Sequence, residues 1–129
     1  MRVLLDTQVI YLSAGAALAE SEIPRKAREW LADPATERIV SAASLMEIAI
    51  KNAGGRLVMS KEQLRRAATD LCLTVIPFVP EHAYRLFSLP MHHRDPFDRM
   101  IIATALVENL PIIGADRMFK KYRGVKLIW

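Results

Sequence analysis

Four carboxylates in this sequence have the types and positions that could bind a divalent cation together. Asp6 closes the apolar segment RVLLD, Glu47 lies in SLMEIAIK, Asp98 lies in HRDPFDRMIIATA, and Asp116 follows the apolar residues of PIIGAD. An all-oxygen ligand set suits magnesium or manganese. A cation held in this way polarises a phosphoryl oxygen and lowers the pKa of a bound water, so the set could support metal-dependent phosphodiester hydrolysis.

Each of these acids also has a local structural explanation. Asp95 is a good N-cap, with Pro96 at the first helical position and Asp98 in the first turn, where a negative charge faces the helix dipole. Ser44 and Glu47 match a capping box. Taken singly, Asp116 could be a turn residue and Asp6 could cap the following helix. Asp95 we interpret as a helix cap near the site.

If the four acids lie close together in space, these local explanations are no longer sufficient. Asp6 closes a strand that is expected to be deeply buried, where an ionised carboxylate needs a partner. Two unit charges about 4 Å apart repel by about 4 kcal/mol at an effective dielectric of about 20, whereas a helix cap contributes only about 1 kcal/mol. A cluster of three or four carboxylates therefore persists only with a cation among them or with some of them protonated.

The order of predicted elements indicates that the acids do converge. Strand-like segments at 2–6, 37–42, 73–78, 111–116 and 124–129 alternate with helical segments at 7–18, 23–33, 44–55, 61–72, 80–89 and 96–109. This alternation predicts an α/β fold, a three-layer α/β/α sandwich around a mainly parallel sheet. In such sheets ligands bind beyond the carboxyl ends of the strands. Asp6, Glu47 and Asp116 each come after a strand, so we expect them at that edge. Asp98 joins them if its helix starts at that edge.

Composition limits the class of protein. The 129 residues predict a single domain over 1–129, with 18 Lys and Arg against 14 Asp and Glu, a net charge of +4. The mild basic excess suits a nucleic-acid partner. Asp6 interrupts any signal-peptide core, the run MIIATALV is too short to cross a bilayer, and the one cysteine cannot form an internal disulfide. We therefore expect a cytoplasmic protein without membrane contact.

Three blocks of sequence resemble the PIN-domain ribonucleases, and among them the VapC-type toxins of VapBC toxin–antitoxin pairs. The blocks are LLDTQVIYL, SAASLMEIAIK and LPMHHRDPFDRMIIATALVENLPIIGADRMFKKY followed by VKLIW, and together they span nearly the whole chain. The resemblance implies a magnesium-dependent endoribonuclease, with manganese possible, that cleaves tRNA or ribosomal RNA to arrest translation. It also implies a cognate antitoxin and a homodimer.

The resemblance assigns roles residue by residue. Asp6 and Asp98 would be the principal metal ligands, and Glu47 and Asp116 would complete the catalytic metal site. Around them, Thr7, Ser44, Asp95, Arg94 and Arg99 are expected to support the metal ligands or to contact the substrate. Gly114 stands where these toxins usually have Thr or Ser, which leaves the support of Asp116 open. We interpret His92 and His93 as bystanders, because the four-carboxylate chemistry does not require them.

Two alternatives of other classes remain at this stage. A haloacid-dehalogenase-like phosphatase also begins with an apolar strand ending in Asp, so Asp6 could be a covalent nucleophile. That class needs a second Asp two residues later, where this chain has Gln8. A non-catalytic PIN module that binds RNA or a partner is the other alternative, and metal binding would discriminate against it.

Overall fold

A computed structural model describes residues 1–14 and 22–129 of the chain. Five parallel strands form one sheet in the order β3-β2-β1-β4-β5. The strands are β1 (Arg2–Leu5), β2 (Glu37–Ser41), β3 (Thr74–Ile76), β4 (Ile112–Ile113) and β5 (Leu127–Ile128). The described residues also form the helices α1 (Thr7–Ala14), α2 (Arg25–Ala32), α3 (Ala42–Ala53), α4 (Lys61–Asp70), α5 (Pro80–Leu86) and α6 (Pro96–Glu108), with a 3₁₀ helix at Arg117–Lys121.

Successive residues of the central strands enter two separate hydrophobic cores. Val3 and Leu5 of β1 belong to one core, and Leu4 between them belongs to the other. The first core is completed by apolar residues of α1, α2, α3 and α4, and the second by residues of α6 and the 3₁₀ helix with Leu86 of α5 packed against it. Because side chains alternate across a sheet, this division covers both faces. The predicted three-layer α/β/α architecture with a parallel sheet is confirmed.

Local capping signals account for several helix boundaries. Ser60 accepts the Gln63 N–H at the start of α4, and the Gln63 side chain accepts the Ser60 N–H in return, as the capping-box pattern predicts. Gly54 ends α3, also as expected. The strands are shorter than predicted, since β4 and β5 each have two residues. Of the helix predicted over 7–18, residues 15–18 lie outside the described residues.

The start of α3 differs from the prediction. Its N-cap is Ser41, whose hydroxyl accepts the Ala43 N–H, so the helix begins at Ala42, directly after β2. The capping box assigned to Ser44 and Glu47 is therefore wrong, because both residues lie inside the helix. Neither side chain caps the helix, and both are buried toward the carboxyl edge of the sheet.

The order in which the chain adds strands to the sheet reverses at β1, and this reversal creates a crevice. The chain adds β2 and β3 on one side of β1 and then returns to add β4 and β5 on the other side. The carboxyl ends of β1 and β4 are neighbours at this switch point, with Leu5 opposite Ile113. Ligands of open α/β sheets bind at such points. Among the described residues, no helix has the length and apolar character needed to cross a membrane.

A buried histidine joins α5 to α6 on the second face of the sheet. His82 Nδ1 accepts the Val79 N–H at 3.1 Å, and Nε2 lies 2.7 Å from Glu108 Oε1. Because Nδ1 accepts a backbone hydrogen bond, Nε2 carries the proton and donates it to Glu108. One side chain thus satisfies the start of α5 and attaches it to the end of α6.

We predict that His82→Ala lowers the free energy of unfolding by about 2–4 kcal/mol, because it opens a cavity and leaves the Val79 N–H without its acceptor. Urea denaturation followed by circular dichroism measures this change. Tyr84→Ala is the control on the same helix, since Tyr84 is exposed, and should change stability by at most about 0.5 kcal/mol. Equal effects of the two substitutions would contradict the structural role of His82.

Candidate metal centre

The predicted acids line one pocket at the switch point of the sheet. The pocket has a volume of about 240 Å³. Its lining residues come from the end of β1, from α1 and α3, from the loop after α3, from the start of α6 and from the N-cap of the 3₁₀ helix: Asp6, Thr7, Gln8, Tyr11, Glu47, Ile48, Lys51, Leu57, Asp98 and Asp116. Acids that are up to 110 residues apart in sequence therefore face one small volume, as their positions after the strands predict.

Asp6 is one of two deeply buried acids of the pocket, and Glu47 is the other. Asp6 follows the last residue of β1 and is 4% exposed. Its Oδ1 accepts the Thr7 N–H at 2.8 Å. Gly114 lies against its side chain, and a Cβ at position 114 would lie 2.9 Å from the Asp6 Cβ. Only glycine fits there without displacing Asp6, which explains the absence of the expected hydroxyl residue at this position.

Glu47 presents an unsatisfied oxygen to the pocket. One carboxylate oxygen, Oε2, accepts a hydrogen bond from Lys51 on the next turn of α3. The other, Oε1, is buried and has no hydrogen-bond partner within the described part of the chain. A buried acceptor without a partner is costly, so it indicates a missing ligand. A cation in the pocket would satisfy this oxygen.

Asp95 and Asp98 have different roles at the start of α6. Asp95 Oδ1 accepts the N–H groups of Phe97 at 2.8 Å and Asp98 at 3.3 Å, so Asp95 is the predicted N-cap. Its other oxygen, Oδ2, lies 4.0 Å from the Lys51 ammonium. The Asp98 side chain instead lines the pocket. The sequence hypothesis that separated these neighbours into a cap and a pocket residue agrees with this geometry.

Asp116 is in hydrogen-bonding contact with His93, for which the sequence predicts no role. Asp116 is the N-cap of the 3₁₀ helix, and its Oδ1 accepts the Met118 N–H at 2.9 Å. Its Oδ2 lies 2.6 Å from His93 Nε2, which is also 3.1 Å from Asp98 Oδ2. The interpretation of His93 as a bystander is wrong. Its place five residues before Asp98, beside the helix cap, was the only sequence signal available.

Burial and mutual repulsion shift the protonation of two acids. Burial raises the pKa of Asp6 to about 7, with the Asp98 charge adding to the shift and the Thr7 N–H opposing it; the charges of Glu47 and Asp116 raise it further. Burial likewise raises the pKa of Asp98 to about 6, helped by Asp95 and opposed by His93. In both cases burial is the largest cause, and the neighbouring negative charges add to it.

The basic residue nearest the acids is Lys51. Its hydrogen bond to Glu47 raises its pKa above the ordinary lysine value, so the ammonium stays charged. Its side chain lines the pocket and is 29% exposed. Lys51 therefore neutralises part of the acidic cluster and still presents a positive charge to the pocket opening.

The remaining predicted residues divide into two groups. Thr7 Oγ1 donates to Ser44 Oγ at 3.0 Å, and both residues are buried beside the pocket acids. Arg94 is exposed on the loop before α6. Arg99 is used elsewhere: its guanidinium donates to the carbonyls of Pro90 at 2.8 Å and Leu89 at 3.3 Å. These hydrogen bonds give Arg99 a structural role in the loop before α6, and its substrate-binding role stays a prediction.

The donor set fits a divalent cation. His93, Asp98 and Asp116 bring one ligand-type atom each to within 4.8 Å of one another. Asp6 and Glu47 add carboxylates from the other side of the same pocket, one buried and one with an unpartnered oxygen. Carboxylate-rich sites bind hard cations such as Mg²⁺ or Mn²⁺.

Sequence comparison decides the family. The model of the PIN domain matches residues 3–125, nearly the whole chain. The chain belongs to the PIN-domain family. PIN domains are generally nucleases that use divalent metals, and the acidic pocket described above is consistent with that chemistry. No curated protein sequence matches the chain.

Solved structures share the PIN fold of this chain at low sequence identity. VapBC2 from Rickettsia felis, bound to a DNA fragment from their promoter, gives a TM-score of 0.71 at 15% identity, covering 98% of this chain and 97% of that chain. DNA-bound VapBC from Salmonella typhimurium gives 0.68 at 16%, covering 98% and 96%. A toxin–antitoxin complex from Klebsiella pneumoniae gives 0.62 at 23%, covering 95% and 94%.

The raised pKa of Asp6 predicts a pH-dependent stability in the absence of divalent cations. Between about pH 4 and pH 7 the folded chain keeps a proton on Asp6 that the unfolded chain releases near its ordinary value of 3.8. The free energy of unfolding therefore falls as pH rises through this window. We predict that Asp6→Asn, which keeps an oxygen for the Thr7 N–H, stabilises the metal-free protein by up to about 4 kcal/mol at pH 8 and by less toward pH 4.

Urea unfolding in EDTA at pH 5 and pH 8 measures this difference. Asp70→Asn removes the same charge from an exposed position and should change stability by no more than about 0.5 kcal/mol at either pH. If Asp6→Asn were destabilising at pH 8, or equally stabilising at both pH values, the electrostatic account of the pocket would be wrong.

Proposed function

We propose that this PIN domain is a magnesium-dependent endoribonuclease and the toxin of a toxin–antitoxin pair. The observation that carries the proposal is the single pocket in which Asp6, Glu47, Asp98 and Asp116 meet, with the unpartnered Glu47 Oε1 among them. A cluster that is unfavourable for the metal-free protein is expected where catalysis needs the charge. Family membership supports a hydrolase that acts on phosphodiester bonds.

Asp6 and Asp98 are the proposed principal ligands, and Glu47 and Asp116 complete the site. A bound Mg²⁺, or Mn²⁺, polarises a phosphoryl oxygen and makes a water molecule acidic enough to react. Side chains of the pocket would orient the water and transfer its proton. Glu47 and Asp116 would orient the attacking water. Its proton would pass to a pocket carboxylate and then to the 3′-oxygen as the bond from phosphorus to that oxygen breaks, so hydrolysis leaves a 5′-phosphate and a 3′-hydroxyl.

Basic residues near the pocket suit a phosphate backbone. Lys51 lines the pocket, Arg94 is exposed on the loop before α6, and Arg117 is exposed at the start of the 3₁₀ helix, next to Asp116. Phosphate contacts position a nucleic acid without reading its sequence. A pocket of about 240 Å³ admits a phosphodiester with its sugar but not a duplex, so the proposed substrate is an unpaired segment of RNA, such as a loop of tRNA or ribosomal RNA.

The proposed partners are an antitoxin and a second copy of the chain. The structures compared above come from toxin–antitoxin complexes, two of them bound to DNA. Tyr84 and Phe87, in α5 and just after it, are 69% and 92% exposed, and Met91 on the next loop is 70% exposed. Exposed apolar residues that lie near one another are typical of protein contacts. Trp30 of α2, also considered for such contacts from the sequence, packs against the first core.

The two alternatives are less well supported. The phosphatase alternative needs an acid where Gln8 stands, and the family match is to PIN domains. The non-catalytic alternative gives no reason to retain an unpartnered buried Glu47 oxygen. Isothermal titration calorimetry without detectable binding of Mg²⁺ or Mn²⁺ would favour the non-catalytic module.

Two neighbouring substitutions test the proposal. Asn caps a helix about as well as Asp, so Asp95→Asn and Asp98→Asn should both fold. We predict that Asp98→Asn lowers the rate of RNA cleavage by more than about 100-fold and weakens metal binding, because it removes a ligand charge. Asp95→Asn should lower the rate by less than about tenfold.

Cleavage of an end-labelled, unstructured RNA in Mg²⁺ measures both rates, with product ends identified by sequencing. Circular dichroism checks that both variants keep the α6 helix. Equal and mild losses from the two substitutions would mean that both acids serve only to start the helix, and the proposed function would fail.

A further inference from the structure

The His93 ring is held in one orientation by contacts with buried groups. Its Nδ1 accepts the Asp95 N–H at 3.2 Å, and its own backbone N–H donates to Tyr122 Oη at 2.8 Å. The ring centroid lies 6.0 Å from that of Phe119. Tyr122 and Phe119 both belong to the second hydrophobic core. The position of His93 is therefore determined by the packed interior and not by the loop alone.

This orientation determines which ring nitrogen carries a proton. A backbone N–H can only donate, so Nδ1 must present its lone pair to Asp95. The proton of the ring is then on Nε2, which donates to Asp116 Oδ2 at 2.6 Å and lies 3.1 Å from Asp98 Oδ2. A protonated ring nitrogen has no lone pair with which to bind a metal ion.

Position 114, two residues before Asp116, cannot supply a side chain that replaces this contact. A Cβ at Gly114 would lie 2.9 Å from the Asp6 Cβ and 3.3 Å from its Oδ2. The backbone supports only the other oxygen of Asp116, through the Met118 N–H. The orientation of the Asp116 carboxylate plane thus depends on His93.

We propose that His93 is a positioning residue: its Nε2–H donates to the Asp116 carboxylate and holds it toward the pocket beside Asp98, and it does not bind the cation itself. The inference rests on the proposed function, because it concerns the same site. His93 connects three segments, namely the loop before α6, the first turn of α6 and the start of the 3₁₀ helix. The cation is then bound by oxygen atoms alone, although three residues including a histidine lie close enough to suggest a mixed site.

Calorimetric titration of the full chain with Mg²⁺ and with Mn²⁺ tests the first half of the inference. His93→Phe keeps a planar ring but removes both nitrogens, and the dissociation constants should rise about 10- to 100-fold, the usual effect of removing a group that orients a ligand. His93→Gln can place an N–H near the former Nε2 and should restore affinity to within about threefold of the unmodified chain.

His92→Phe is the matched control, because His92 is adjacent, exposed and in contact with Tyr122 but not with the pocket. It should leave both dissociation constants unchanged. Circular dichroism and thermal melting establish that each variant is folded, which the intact backbone hydrogen bond from residue 93 to Tyr122 favours.

Nitrogen-15 NMR of the His93 ring tests the second half. The spectrum should show a protonated Nε2 and an unprotonated Nδ1 in the metal-free chain, and the same pattern after saturation with Mg²⁺. Loss of the Nε2 proton on Mg²⁺ binding would make His93 a ligand and overturn the proposal. Unchanged or tighter cation binding by His93→Phe would overturn it as well.

The two proposals fail in distinguishable ways. If the unmodified chain bound neither Mg²⁺ nor Mn²⁺, the proposed function would fail and the positioning role with it. If the unmodified chain bound the cations and His93→Phe bound them equally well, only the role of His93 would be lost.

Discussion

Repulsion between carboxylates at one edge of the sheet is the constraint on which this structure depends. Burial raises the pKa of Asp6 to about 7 and that of Asp98 to about 6, and the charges of Glu47 and Asp116 add to both shifts. The chain offsets part of this charge with the Lys51 ammonium and with the N–H groups of Thr7 and His93. These donors leave one Glu47 oxygen without a partner, so the neutralisation is incomplete without a further positive charge.

The rest of the fold can be understood as the scaffold that maintains this arrangement. The alternation of Val3, Leu4 and Leu5 between two cores buries β1 on both faces and fixes where Asp6 emerges. The reversal of strand order places the end of β4, and hence Asp116, beside it. Packed interiors resist displacement, so the two hydrophobic cores hold the acids close together. The favourable free energy of core packing thus offsets the unfavourable free energy of the acidic cluster.

The sequence predicted most of the architecture because its strongest signals are local or periodic. Alternating strand and helix patterns indicate a parallel sheet, and position after a strand was enough to bring Asp6 and Asp116 to one pocket. Caps at Asp95 and Ser60 depend only on the next few residues, and both are confirmed. The cap of α3 was misplaced because Ser41 and Ser44 are equally good caps locally, and the end of β2 decides between them.

Features that depend on tertiary contacts could not be read from the sequence. His93 and Asp116 are 23 residues apart and meet only because the 3₁₀ helix folds back onto the loop before α6. Arg99 resembles a phosphate-binding residue in sequence, but its guanidinium donates to the carbonyls of Leu89 and Pro90 in the loop after α5. The need for glycine at 114 follows from the Asp6 side chain 108 positions earlier, so no local pattern could have revealed it.

Anomalous diffraction from crystals grown with Mn²⁺ is the most direct test of the claim that a cation holds these acids together. The account predicts one or two anomalous peaks in the pocket, with oxygens of Asp6 and Asp98 at about 2.0–2.3 Å and Glu47 oriented toward the same volume. A crystal grown at a saturating concentration of Mn²⁺ that shows no anomalous peak there, with the three carboxylates turned away from one another, would contradict it.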